Sequence, residues 1–273
     1  MDKSFEKSTF GKRMKTMLRV DLRRMFTTWL IYLLIGACLV IPIVILVMTT
    51  MMDGQESVNQ QTGEVTVIEG FDNVWQIIGT ASKSADEGAG AMEMDMISMC
   101  NINLLYFALS ALVCFFVCGD FKSGYAKNLF TVRASKLEYT VSKTLVCFLG
   151  GALMIIAFIV GSIIGGAIMN LPFDPTEIGA SFGGVAFCIL SKILLVGVFV
   201  PIYVLISVII KQKPWLAVLG SAVVGMLLFT MIPMITPLDS TYINVVLCVV
   251  GALIASIGLG AVSTVVLKKT SLV

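Results

Sequence analysis

Long unbroken apolar runs dominate the chain, recurring between shorter polar stretches, and within a run apolar and polar residues do not alternate. A helix needs about 20 apolar residues to cross roughly 30 Å of hydrocarbon. Barrel strands instead alternate over about ten residues. The pattern predicts an all-α integral membrane protein with six transmembrane helices. They fall near Trp29–Met52, Ser98–Cys118, Thr144–Leu171, Phe187–Ile210, Trp215–Ile235 and Tyr242–Leu267. No signal peptide is expected ahead of the first, because its apolar stretch is too long and its basic flank runs to residue 28.

A different period precedes the first run. Over residues 9–29, at about 100° per residue, Phe10, Met14, Met17, Leu18, Leu22, Met25 and Trp29 share one sector. Lys12, Lys15, Arg19 and Arg23 occupy the opposite one, and Asp21 breaks the apolar sector with Arg24 three residues on. Such a helix lies in the lipid interface, its cations toward anionic headgroups or a partner. The alternative is a basic flank that only sets topology. Continuity into Trp29 predicts an elbow helix feeding the first span, so the chain divides into residues 1–28 and a transmembrane domain, 29–273.

Composition agrees with this class. The 273 residues are 58% hydrophobic and 13% charged, against about a quarter charged in soluble domains. Charge also fixes orientation. Residues 1–28 hold eight Lys or Arg, the loop 119–143 five, the loop 211–214 two, and the C-terminal tail Lys268 and Lys269. The alternate segments hold only Lys83, so the positive-inside rule places both termini in the cytoplasm of a bacterial cell membrane. The remaining cation, Lys192, falls in or beside the fourth span. It reads as a residue snorkelling to the interface, with a residue lining a polar pathway as the alternative.

Several chemistries are missing from the sequence. There is no histidine and no G-x-x-x-x-G-K-[ST] segment, so a His-based relay and a P-loop are excluded. The seven cysteines lie in or at the edges of spans without metal-ligand spacing and read as packing residues. All 17 acids fall outside the expected spans, which argues against a proton-coupled carrier. Energy for any transport is expected to come from another subunit.

The loop 119–143 is too long for a simple turn and too apolar for a disordered linker. Phe121, Tyr125, Leu129 and Phe130 make an apolar stripe on a short helix, Arg133–Ser135 reads as a turn, and Lys136–Lys143 starts a helix merging into the third span. Asp120 and Gly124, four apart, are expected on one helical face, where glycine permits close approach of another backbone. Lys127, Arg133 and Lys136 supply charges for a partner's carboxylates. A solvated basic loop is the alternative.

The positions Asp120, Gly124, Asn128, Leu129, Lys136 and Lys143 resemble the loop of ABC-2 type permeases, as do the six-span layout, the cytoplasmic termini and the elbow helix. The resemblance implies that this loop holds a coupling helix, with Asp120, Phe121, Gly124, Tyr125, Lys127, Asn128, Leu129, Arg133 and Lys136 docking on a separate ATPase. It implies two ATPase subunits carrying ATP and Mg, no cofactor on this chain, and a second permease copy or a homologous permease. The cargo would be amphipathic: an antimicrobial peptide, a lipid-like molecule or a drug. Membrane lipids are the other expected partner, and nothing calls for nucleic acid. Alternatives are a non-transport membrane protein (immunity, sensor or scaffold) and an ion-coupled carrier.

Small residues at four-residue spacing, Gly161 with Gly165 and Ser162 with Gly166, predict close helix packing. Pro42, Pro201 and Pro233 are candidate kinks. In the outer loop 53–97, Val65–Ile68 is expected as a strand. Val74–Ile78 is expected as a patch lying on the membrane with Trp75 as its anchor. The segment Ile235–Tyr242, with Pro237, would cap an outer gate.

Overall fold

The computed structural model describes residues 10–54, 56–58, 65–67, 70–79, 101–132, 135–229 and 231–269. The first helix, α1 (Phe10–Thr27), ends where two threonines turn their hydroxyls back onto the backbone. Thr27 Oγ1 donates to Arg23 O at 2.6 Å and Thr28 Oγ1 to Arg24 O at 2.8 Å. Thr28 is extended, and α2 (Trp29–Met52) starts at the next residue. The junction is therefore a one-residue break between an amphipathic and an apolar helix.

Beyond α2 lies an antiparallel pair, β1 (Glu56–Val58) and β2 (Val65–Val67), matching the expected strand to within a residue. The segment after it departs from expectation. Val74–Ile77 forms a 3-10 turn whose Val74 and Ile77, with Ile78, are fully buried in the protein and do not lie on a membrane surface. Asn73 caps the turn and also donates through Nδ2 to Asp174 O at 2.8 Å, while Trp75 Nε1 donates to Phe173 O at 2.7 Å. Trp75 is thus held by a protein carbonyl.

Three long helices form the centre: α3 (Leu105–Lys122), preceded by a 3-10 turn from Ile102, then α5 (Lys136–Met169) and α6 (Phe182–Ile210). The short α4 (Tyr125–Val132) joins α3 to α5. Tyr106 of α3 stacks on Phe199 of α6 with centroids 4.6 Å apart, and Tyr203 donates its hydroxyl to Tyr106 O at 3.1 Å. The expected glycine contact is present between α5 and α2. A Cβ on Gly161 would collide with the Leu39 carbonyl and Pro42, and one on Gly165 would meet Ile43 Cα at 3.0 Å. At this crossing the backbones touch, as small residues allow.

The last elements are α7 (Pro214–Phe229), α8 (Ile232–Ile235) and α9 (Tyr242–Lys269). The expected span Trp215–Ile235 is split in two. Pro233 lacks an N–H, and its ring would strike the carbonyl four residues back, at Phe229, where α7 stops. The 16 residues of α7 cover about 24 Å, short of the hydrocarbon thickness. Among the described residues five helices are long and apolar enough to cross a membrane, and the architecture is that of a helical multi-pass membrane protein.

Two other boundaries move. Helix α3 continues to Lys122, past the expected end at Cys118, so Gly119 and Asp120 are helical. Helix α6 starts at Phe182, five residues early, because Ser181 accepts from Gly184 N at 2.9 Å and caps it. In the connection between α8 and α9, Leu238 is buried against Gly79, and Asp239 accepts from the Ser181 hydroxyl at 2.8 Å. The segment expected to cap one end of the bundle is therefore packed onto α6.

Candidate functional site

The densest polar chemistry lies where α1, α3, α4 and α5 meet. Asp21, Asp120 and Lys143 are all fully buried. Lys143 Nζ sits 2.8 Å from Asp21 Oδ1 and 2.7 Å from Asp120 Oδ2, bridging the two carboxylates. Arg24 Nη2 reaches Asp120 Oδ1 at 2.7 Å and Nη1 lies 4.0 Å from Asp21. Two hydroxyls donate into the same carboxylates, Ser142 to Asp21 at 2.6 Å and Tyr139 to Asp120 at 3.1 Å. Two cations and two anions make the cluster neutral, the condition under which burying charge is tolerable. Burial works against the Arg24 charge, but the Asp120 carboxylate and its hydrogen bond outweigh it and hold the guanidinium above its ordinary value.

Aromatic rings wall this cluster. Lys143 Nζ lies 4.0 Å from the Phe116 centroid, and the Arg24 guanidinium 3.8 Å from that of Tyr125. Phe130 meets Tyr139 edge to face at 5.3 Å. Helix α4 is thereby fixed from behind through Tyr125, Ala126, Leu129 and Phe130, which are buried or half-buried. Its other face exposes Lys127, Asn128 and Thr131.

The expected docking residues divide accordingly. Lys127 and Asn128 are exposed, and Leu129 is half-buried. Asp120 and Phe121 are buried in α3 and present nothing to a partner. Gly124 is not on a helical face: it ends α3 with φ of 74°, a left-handed conformation that favours glycine, and no atom lies within 4 Å of a Cβ placed there. Lys136 is half-buried and donates to Leu267 O at 2.6 Å, occupying a last-turn carbonyl of α9. Arg133 lies outside the described residues.

On α1, Lys12, Lys15, Arg19 and Arg23 are exposed opposite buried Met17, Asp21 and Met25. Trp29 falls across the break, as the first residue of α2, and is 73% exposed. Arg13 pairs with buried Glu138 at 3.3 Å, a second tie from α1 to α5. That tie, and the partnership of Asp21 with Lys143, were missed in the sequence. The available signal was Asp21 itself, an acid inside an apolar sector, which needs a buried cation opposite it.

Lys192 is not a snorkelling residue. With α6 starting at Phe182 it stands ten residues in, about 15 Å along the helix. It is fully buried, and Nζ donates to Asn103 Oδ1 at 2.9 Å and Thr236 Oγ1 at 3.0 Å. Among the described residues no carboxylate pairs with it. Methionine has similar length and removes the cost of burying the charge, but strands the Asn103 oxygen. Lys192→Met is expected to shift stability by no more than about 1 kcal/mol, read from thermal unfolding in detergent.

No family model, curated protein or solved structure matches the chain.

Proposed function

We propose that the chain is the permease subunit of an ATP-binding cassette exporter driven by separate ATPase subunits. The observation that carries this reading is the setting of α4. It is an eight-residue helix between two long membrane helices, fixed from behind by the ionic and aromatic cluster, with Lys127, Asn128 and Thr131 outward. An ATPase seated on that face would push on a rigid element. The push would pass through Tyr125 and Phe130 to Arg24, Asp120 and Tyr139, and so to α1, α3 and α5.

In this reading α7 with α8 makes a sixth span, both termini and α4 are cytoplasmic, and α1 is the interfacial elbow of a bacterial membrane protein. Two permeases, identical or homologous, would enclose the path for an amphipathic cargo such as an antimicrobial peptide, a lipid-like molecule or a drug. Two ATPases would carry ATP and Mg. The exposed face gives the sharper test, since Lys127→Glu leaves the buried cluster untouched. It is expected to lower retention of the candidate ATPase on the purified chain about tenfold, with unchanged thermal unfolding. Failure of the wild-type chain to retain an ATPase would remove the basis of the assignment.

The buried, carboxylate-free setting of Lys192 favours a second reading, an ion-coupled carrier. That reading requires transport without an ATPase, abolished by Lys192→Met.

A further inference from the structure

A groove of about 410 Å³ opens between the α1–α2 elbow and α3, beside the ionic cluster. Its polar wall is Arg24, Thr27, Thr28 and Ser123; its apolar wall includes Ile31 and Phe115. Among the described residues no carboxylate lines it. A third of the Arg24 side chain (33%) remains exposed despite its ion pairs, and the adjacent Arg23 and Lys122 are both exposed. Arg24 belongs to the neutral cluster, so the excess positive charge near the groove comes from Arg23 and Lys122, the sequence neighbours of the lining residues Arg24 and Ser123.

The polarity changes along the groove in the way a membrane interface does. Thr28 turns its hydroxyl onto Arg24 O and gives the first turn of α2 no side-chain cap. Leading amides of a helix have no intrahelical acceptor and carry the positive end of its dipole, and Thr28, Leu30 and Ile31 all line the groove. Two largely exposed tryptophans frame the depth: Trp29 at the elbow, and Trp215, 71% exposed, whose ring meets the groove residue Phe115 edge to face at 5.0 Å. Tryptophans so placed mark headgroup level.

We propose that this groove is a binding site for one anionic phospholipid. Its phosphate sits at Arg24 and the first amides of α2, and the start of an acyl chain lies along the half-buried Leu30, Phe115 and Phe116. Arginine with backbone amides at a helix start is a chemistry suited to a phosphate monoanion, and the apolar wall suits an acyl chain but not a free phosphate ion. This site does not depend on the exporter reading, only on the chain lying in a membrane.

The test uses the full chain in detergent, titrated with phosphatidylglycerol or phosphatidylcholine, with retained lipid counted by native mass spectrometry. Arg24→Gln alone would be ambiguous, because it also strips Asp120 of a partner. Gly119→Leu is the cleaner variant: Gly119 lines the groove, and a Cβ there meets nothing within 4 Å. One phosphatidylglycerol is expected to be retained about tenfold more tightly than phosphatidylcholine. Gly119→Leu should abolish that preference with unchanged thermal unfolding, and glycerol phosphate should not compete at equal concentration. Equal retention of both lipids, full retention by Gly119→Leu, or competition by glycerol phosphate would each overturn the proposal.

Discussion

Lys143→Met is expected to destabilise the folded chain by about 3–5 kcal/mol, the cost of removing one partner from a buried ion pair. The substitution keeps side-chain length, so packing changes little. It leaves Asp21 and Asp120, both fully buried, with Arg24 as their one close cation among the described residues. Ser142 and Tyr139 each donate one hydrogen bond to these carboxylates, which does not replace a charge. The effect belongs to charge balance, and a second change separates it from volume. Lys143→Met with Asp21→Asn restores neutrality, leaving the Arg24–Asp120 pair. The double variant should lose less than the sum of the two single losses, by about 1–3 kcal/mol. Reversible unfolding in mixed micelles measures this, and a loss under about 1 kcal/mol for Lys143→Met would show that the lysine is not carrying the cluster.

Gly161→Val is the second large expected loss. The backbone of α2 occupies the place of the new side chain, since a Cβ would collide with the Leu39 carbonyl and with Pro42. Neither neighbour can rotate away, so α2 and α5 must separate. Overpacking commonly costs about 1–3 kcal/mol, and a backbone clash lies at or above the top of that range. The control is Gly258→Val on α9, where nothing lies within 4 Å of the added Cβ. Thermal unfolding should fall sharply for the first and stay near wild type for the second. Similar unfolding temperatures would mean that the α2–α5 crossing is looser than its geometry implies.

How much of this was legible in the sequence follows from range. Unbroken apolar runs determine helices locally, and α2, α5 and α9 fall within a few residues of expectation apart from the extension of α5 into Lys136–Lys143, which was itself foreseen. The split after Phe229 is local too: Pro233 was noted as a kink and acts as a stop. The fate of each charged residue is not local. Asp120 read as a docking residue on a helical face of the cytoplasmic loop because α3 was ended at Cys118. One further helical turn, with Lys143 and Arg24 arriving from other elements, makes it a core residue. Lys192 read as interfacial because a capping serine six residues ahead of the expected span was not weighed. Trp75 read as a membrane anchor because the carbonyl that accepts from it, at Phe173, lies 98 residues away.

The candidate coupling face was only partly visible for the same reason. The short helix, its apolar stripe and the lysine entering α5 were all readable from spacing. Which face of the helix is free depends on Phe130 meeting Tyr139 and Arg24 covering Tyr125, contacts that spacing does not encode. Of the nine named residues eight are described, and among these Lys127 and Asn128 are exposed, with Thr131 added beside them. The structure also gives Lys136 an internal role, at the C-terminal end of α9.

Site-specific photocrosslinking from position 128 tests the coupling role of α4 most directly. A photoreactive residue replaces Asn128 in cells producing the candidate ATPase, with the same residue at the exposed Ile257 of α9 as control. The permease reading predicts a covalent adduct with the ATPase from position 128 and none from 257. No ATPase adduct at 128, or equal adducts at both positions, would contradict it.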